Sequence, residues 1–316
     1  MLVIYIIPQK ILPSGLNSVI PSLAVVLSFF LLRDYVRRIS FAALQMKTAM
    51  LLDIGVSALQ LSGLVYLSYL TSLTIARSFL VIGFSCCAVS MFWLFFNRRS
   101  FSINIQDVVV SLKKNLMTGK WILASGILWS LSLYSYPWIL VSFHGTESAG
   151  VLAACHGTVA IFNPLLTGFQ NYISPKIAHS YAEFGKETLY KFVLKITLLL
   201  GLVVLVFSLF LTLTGNFLVV KLYGSKYAGN GMVISLLAFD LFLTSIGFSI
   251  SRTLFVIEKA NIDFIINVVS AVFLFSFGIW LIKDFGVFGT AMALIAGNFI
   301  SIVLLFVYFN RTRRTQ

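Results

Sequence analysis

Runs of about 20 apolar residues recur along the whole chain, and they leave few folds open. A helix needs about 20 such residues to cross the ~30 Å hydrocarbon core of a bilayer. Nine runs qualify: Leu16–Leu32, Ala49–Leu70, Leu73–Phe96, Trp121–Phe143, Ser148–Phe169, Phe192–Leu213, Met232–Ile250, Ile262–Ile282 and Val287–Phe309. The first is the least regular because Pro21 lies inside it, although proline is tolerated in membrane helices. The runs are too long for strands and lack the two-residue alternation of a lipid-facing barrel. The expected fold class is all-α, a polytopic transmembrane helix bundle of about nine spans.

Charged residues make up 10% of the chain and hydrophobic residues 59%. A soluble domain carries about 25% charged residues, so much of this surface faces lipid. The net charge of +13 would suggest nucleic acid in a soluble protein. Its distribution says otherwise. Taking the loops in alternation, one set holds Arg33, Arg37, Arg38 and Lys47, then Arg98, Arg99, Lys113, Lys114 and Lys120. It continues with Lys176, Lys186, Lys191 and Lys195, then Arg252 and Lys259, then Arg311, Arg313 and Arg314. These are 18 of the 23 basic residues. The other set holds four, Lys10, Lys221, Lys226 and Lys283, and Arg77 falls within a span. Cytoplasmic loops are the basic ones. The C-terminus is therefore expected in the cytoplasm, in a multi-pass protein of the cytoplasmic (inner) membrane, with no nucleic-acid partner.

Nine spans ending inside place the N-terminus outside. Residues 1–15 carry no signal peptide: the apolar stub Met1–Ile7 is broken by Pro8, Lys10, Pro13 and Gly15. The stub reads as the tail of a helix whose beginning is absent, so the chain is expected to be truncated at its N-terminus. The longest connection is 97–120. Ile105, Val108, Val109, Leu112 and Leu116 recur in it at helical spacing. An amphipathic helix at the membrane surface is expected there. The connection Thr214–Gly231 is mildly apolar and is expected to lie at the outer interface.

Polar residues form stripes on several spans. Asp53, Ser57 and Gln60 share one face; so do His156, Asn163, Thr167 and Gln170; so do Asp240, Thr244, Gly247 and Ser251. The eighth run adds Asn267 and Ser270, and the ninth Thr290, Asn298 and Ser301. One such stripe is ordinary helix–helix glue. Several together point to a water-accessible path. A charge at mid-bilayer costs ~2.5–3.5 kcal/mol on insertion scales, so Asp240 near the middle of its run is the leading cavity residue, with structural pairing as its other reading. Arg77, near the outer end of its span, either snorkels or serves a site. Asp53, near an inner end, reads as a solvated end residue or a cavity residue. His156 is either a satisfied buried histidine or a cavity ligand.

No enzyme signature is present. His144, His156 and His179 fall on an outer loop, inside a span and on an inner loop. There is no phosphate-cradling glycine loop. Cys86, Cys87 and Cys155 lie in apolar runs at no metal-binding spacing. No cofactor and no metal are expected.

From Gly119 the run GKWILASGILWSLSLYSYPWILVSFHGTESAGVLAACHGTVAIFNPLLTGFQNYISPKIAHSYAEFG resembles the seventh and eighth helices of polysaccharide-biosynthesis flippases of the O-antigen type. These belong to the multidrug/oligosaccharidyl-lipid/polysaccharide exporter superfamily. Gly119, Trp121, Ser125, Tyr136–Pro137, Gly145, Gly150, Asn163–Pro164, Gly168, Asn171 and Pro175 carry the likeness. RDYVRRISFAALQMKTAMLLDIG and KLYGSKYAGNG are similar to the family's junction between helices four and five and to its segment before helix ten.

The resemblance implies two six-helix lobes, of which this chain holds helices 4–12. Residues 1–96 would be half of the first lobe, 97–120 the inter-lobe linker and 121–316 the second lobe. It implies a flippase that moves oligosaccharide on a polyprenyl pyrophosphate across the membrane by alternating access, for surface polysaccharide such as lipopolysaccharide. Expected partners are the lipid-linked oligosaccharide, the bilayer and a polysaccharide polymerase. Basic side chains such as Arg77, Lys176 and Lys195 would hold the pyrophosphate. Asp240, His156, Asn163, Asp53 and Tyr136 would line the cavity, and Pro137, Pro164 and Gly168 would let helices bend. Alternatives are a cation-coupled multidrug exporter of the same superfamily, or a scaffold without transport. A glycosyltransferase or polymerase is disfavoured by the short external loops.

Overall fold

The computed structural model describes residues 20–70, 73–101 and 104–314. The stub Met1–Ile7, the breakers Pro8 to Gly15 and the start of the first run lie outside them. The described residues are almost entirely helical, as the apolar runs require, and contain no strand. Eight helices follow in order: α1 Ile20–Ala42, α2 Met46–Tyr69, α3 Ile75–Phe96, α4 Ile105–Val159, α5 Asn163–Tyr223, α6 Gly231–Val256, α7 Ala260–Phe273 and α8 Ile279–Arg314.

Two of these far exceed a bilayer. At ~1.5 Å per residue, the 55 residues of α4 and the 61 of α5 would each reach roughly 80–90 Å. They do not run straight. Gly145 in α4 has φ 77°, Gly185 in α5 has φ 71°, and Gly286 in α8 has φ 56°. Each backbone conformation lies outside the helical region, and side-chain-bearing residues rarely adopt it. Helical hydrogen bonding resumes at once, so the chain turns without a loop. A 3₁₀ turn at Ala160–Phe162 separates α4 from α5. These breaks divide the continuous helix into the fourth, fifth and sixth apolar runs, and Gly286 divides α8 between the eighth and ninth.

The chain divides into two compact units, Met1–Asn104 and Ile105–Gln316. In the first, α3 packs on α1 and α2. Val26, Val36, Leu52, Val56 and Cys86 are buried there. The basic stretch expected as a loop after the first run is helical: α1 continues through Arg33, Arg37 and Arg38 to Ala42. Lysine and arginine are good helix formers, and hydropathy marks the bilayer edge, not the helix end. This corrects the solvated-end reading of Asp53. Its carboxylate is half-buried and accepts from Arg33, and from Arg37 Nε at 3.0 Å, tying α2 to α1. Asp53→Ala would leave two guanidinium groups facing each other without their shared anion. A loss of about 1–2 kcal/mol is expected after solvent screening, read as faster thermal labelling of the buried Cys86 thiol in detergent.

The second unit packs α6 between α5 and α8, and α4 against α7 and α8. Leu140, Cys155, Leu211, Ile234, Leu274, Ile282 and Ala291 form its main core. Ile177, Leu189, Val193, Leu254 and Phe309 form another. On the side of the Gly145 and Gly286 turns, the two turns are tied together. His144 Nε2 donates to the carbonyls of Ile282 and Lys283 at 2.9 and 3.0 Å, and Lys226 pairs with Glu147 at 3.0 Å. The Glu147 carboxylate holds the Lys226 ammonium above its ordinary pKa.

Two connections differ from expectation. Residues 105–120 are the first turns of α4 and join the fourth run without a break. The apolar positions Val108, Val109, Leu112 and Leu116 are exposed in this unit. The connection after Leu213 is also mostly helix: α5 extends to Tyr223 before a 3₁₀ turn at Ser225–Tyr227. Leu213 and Trp138, 87% and 76% exposed, belong to surfaces that only lipid could cover in an isolated chain.

Candidate functional site

Asp240 is the tenth residue of α6 and is half-buried. Helical spacing places it on the same face as Thr244 and Ser251. Thr244 spends its hydroxyl on its own helix, donating to the Asp240 carbonyl at 3.1 Å. The Asp240 carboxylate reaches α8, where Asn298 Nδ2 donates to Oδ1 at 2.7 Å. The Tyr136 side chain of α4 is within electrostatic reach of the same carboxylate. Tyr136 Oη also lies beside Gly297 of α8, 3.7 Å from where a Cβ would stand. Tyr136 and Asp240 are thus brought together by three helices, and Asn298 completes the group. One carboxylate oxygen has a neutral amide donor and no basic residue forms an ion pair with it among the described residues. A carboxylate so placed can take up a cation or a proton.

One turn further along, the Ser270 and Ser301 hydroxyls share a hydrogen bond of 2.6 Å. Beyond them lies a group that sequence reasoning missed. Asp263, 8% exposed, accepts from Ser125 of α4, from Ser251 of α6 at 2.6 Å and from Asn267 of its own helix. Asn267 also donates to Ser125 Oγ at 2.7 Å. Asp263 stands in the first turn of α7, where the helix dipole favours an anion. Its hydrogen-bonding capacity is used within the protein, so it serves as a three-helix tie. In the sequence it is the second residue of the eighth apolar run, too near the end to stand out as a charge in mid-bilayer. Ser125 stood among the resemblance positions without a partner to give it meaning.

The remaining candidates are dispersed. His156 and Asn163 are exposed on the surface of the second unit, with Thr167 on the same stripe. Lys176 donates from Nζ to Tyr172 Oη at 2.7 Å and lies over the same ring. Pro164 occupies the first turn of α5, immediately after the 3₁₀ turn. Proline is well suited to a helix start, so the fifth apolar run is interrupted there. Pro137 and Gly168 lie inside helices with no break at either. In the first unit, Arg77 is in the first turn of α3, where Thr74 Oγ1 caps its backbone N–H. Asp53 is committed to its two arginines. Among the described residues no group of three or more His, Cys, Asp or Glu is placed to hold a metal ion.

No protein-family model matches the chain. Over 249 residues it is 21% identical to the capsular polysaccharide biosynthesis protein CapF of Staphylococcus aureus, covering 77% of this chain. The chain spans 62% of the length of that relative. A crystal structure of a MATE mutant superposes with a TM-score of 0.81 at 17% identity, over 96% of this chain and 71% of the other. An outward-facing multidrug resistance MATE family transporter gives 0.69 at 17% identity, over 84% and 62%. A MOP superfamily transporter from Pyrococcus furiosus gives the same figures. The relative in sequence is a polysaccharide biosynthesis protein and the structural neighbours are MATE and MOP superfamily transporters, as the resemblance implies. The chain is a polytopic helical membrane protein with the fold of the multidrug/oligosaccharidyl-lipid/polysaccharide exporter superfamily.

Proposed function

We propose that this chain is the membrane-spanning body of a flippase that moves oligosaccharide linked to polyprenyl pyrophosphate across the cytoplasmic membrane. The polar stripe His156, Asn163 and Thr167 carries this reading. Its residues lie exposed on either side of the 3₁₀ turn Ala160–Phe162, His156 at the end of α4 and Asn163 and Thr167 at the start of α5, within an otherwise lipid-like run. Each polar group left unsatisfied in hydrocarbon costs several kcal/mol, so such a face belongs against water or a polar cargo. A glycan needs a surface of this kind to replace its hydration. The kinship with a capsular polysaccharide biosynthesis protein supports the glycan as cargo. Residues 121–316 act as one lobe and residues 1–96 as part of the other. The C-terminus faces the cytoplasm, following the basic loops. Asp240, with Tyr136 and Asn298, takes up the coupling proton or sodium ion. A polysaccharide polymerase receives the delivered glycan.

A second reading, a cation-coupled multidrug exporter, draws on that same carboxylate and on the multidrug transporters among its structural neighbours. The two separate in proteoliposomes. A fluorescent polyprenyl-pyrophosphate oligosaccharide should become accessible to an impermeant quencher only in vesicles containing the protein, while ethidium accumulation stays at the level of empty vesicles. Ethidium transport without glycan-lipid translocation would establish the exporter instead.

A further inference from the structure

We infer that Tyr223 and Tyr227 form a sugar-binding subsite, on which an uncharged pyranose ring of the glycan rests as it reaches the outer mouth. The inference rests on the flippase reading and gives its cargo two named side chains to pack on. Tyr223 is the last residue of α5. Gly224, with φ 101°, turns the chain there into the 3₁₀ turn that ends at Tyr227. The two rings stand 6.2 Å apart at 73°. They meet edge to face, so they do not cover each other as a stacked pair would. Tyr223 is 45% exposed. This corner lies on the side that the basic loops assign to the exterior.

Both hydroxyls reach across to α4. A Cβ on Gly157 would overlap the Tyr223 hydroxyl, and one on Gly150 would stand 4.0 Å from that of Tyr227. The two glycines share a helix face and lie about 10 Å apart along it. Only glycine at 157 lets Tyr223 lie this close. Its neighbour His156 is exposed, and Asn163 follows beyond the 3₁₀ turn. Tyr223 thus brings an aromatic ring to the polar stripe proposed to receive the glycan. Lys226 pairs with Glu147 of α4 at 3.0 Å and holds the turn between the tyrosines against that helix.

Tyrosine combines an apolar ring with a hydroxyl that ordinarily finds a partner. Among the described residues, nothing hydrogen-bonds the Tyr223 hydroxyl, the His156 imidazole or the Asn163 side-chain amide. Lipid tails offer these groups no partner either. A pyranose ring suits both halves of the surface. Its axial C–H groups pack on an aromatic face, and its hydroxyls point outward to donors and acceptors. A cationic drug suits it less. Aromatic faces do attract cations, but the carboxylate at this corner, Glu147, is already paired with Lys226.

The test uses the full-length protein in proteoliposomes with lipid-linked oligosaccharide extracted from the producing strain and bearing a diazirine on a sugar. Photolabelling is expected on the peptides that contain Tyr223 and His156. Tyr223→Leu keeps apolar bulk and loses the flat ring. It should lower labelling about two- to ten-fold, the range of an aromatic pair, while Tyr223→Trp retains most of it. Gly157→Ala, which pushes Tyr223 aside and leaves its chemistry intact, should lower labelling to a similar extent. Thermal reactivity of the buried Cys155 thiol reports whether each variant is folded. Tyr223→Leu, at an exposed position, decides the matter if Gly157→Ala is not. Undiminished labelling in Tyr223→Leu would overturn the subsite. So would equal labelling of the Tyr223 peptide by phosphatidylethanolamine with a diazirine on its headgroup, which would make the tyrosines ordinary interfacial anchors. Labelling at Tyr223 in protein that translocates no glycan-lipid would keep the subsite and sink the flippase reading. Translocation with labelling only elsewhere would do the reverse.

Discussion

Asp240→Ala lowers surface polysaccharide about 10–100-fold in a strain that depends on this protein, with little change in its abundance in the membrane. Both halves of that expectation come from where the carboxylate stands. Asp240 lies ten residues into a 26-residue helix, within the stretch that hydropathy assigns to the bilayer interior. Its insertion there costs ~2.5–3.5 kcal/mol. The structure returns little of this as stability, since one oxygen receives a single amide hydrogen bond from Asn298. Removing the side chain relieves an insertion cost and forfeits one hydrogen bond, worth ~0.6 kcal/mol on average between membrane helices. Folding should be unharmed. Transport should not be, because a charge-assisted contact of ~1.5–3 kcal/mol corresponds to that range of rate. Asp240→Asn separates charge from shape: its amide oxygen can still accept from Asn298, but it carries no negative charge and takes up no proton. Loss of transport in both variants assigns the role to the charge. Wild-type polysaccharide in Asp240→Asn would remove ion coupling from this site.

The all-helical membrane class was legible because a bilayer imposes one length on every crossing, and apolar runs of that length recur along the chain. Helix ends were not. Arg33, Arg37 and Arg38 leave the hydrocarbon without leaving the helix, and residues 105–120 join the fourth run for the same reason. Asp240 was legible as a charge in mid-run, and Tyr136 came from the resemblance. Their meeting with Asn298 required the fold, since 58 residues separate Asp240 from its amide partner. The π-helical turn Leu274–Gly278 has no proline and no charged residue to announce it. Asp53 misled because a carboxylate near a span end ordinarily meets water, and here two arginines one turn apart on α1 arrive first. Asp263 was missed because hydropathy has no means of telling a solvated acid at the end of a run from one whose partners lie 12 and 138 residues away.

Asp240 and Asp263 therefore predict opposite phenotypes. Asp263→Ala should unfold the second unit where Asp240→Ala does not. The substitution removes the common acceptor of Ser125, Ser251 and Asn267 and so releases α4, α6 and α7 from one another. It also leaves buried donors without partners and removes the anion from the α7 N-terminus, the latter worth ~0.3–1 kcal/mol. Membrane hydrogen bonds average ~0.6 kcal/mol and reach ~1.7, so three of them with the dipole contribution amount to about 2–4 kcal/mol. Asp263→Asn should cost about 1 kcal/mol, because serine hydroxyls can turn to accept from the new amide. The cysteines report the outcome in place. Cys155 is fully buried in the core of the second unit and Cys86 in the first. On heating in detergent with a thiol-reactive dye, Asp263→Ala should bring forward labelling of Cys155 well before that of Cys86. Labelling of Cys155 at the wild-type temperature would show that the three-helix tie contributes little, and would return Asp263 to consideration as a transport residue.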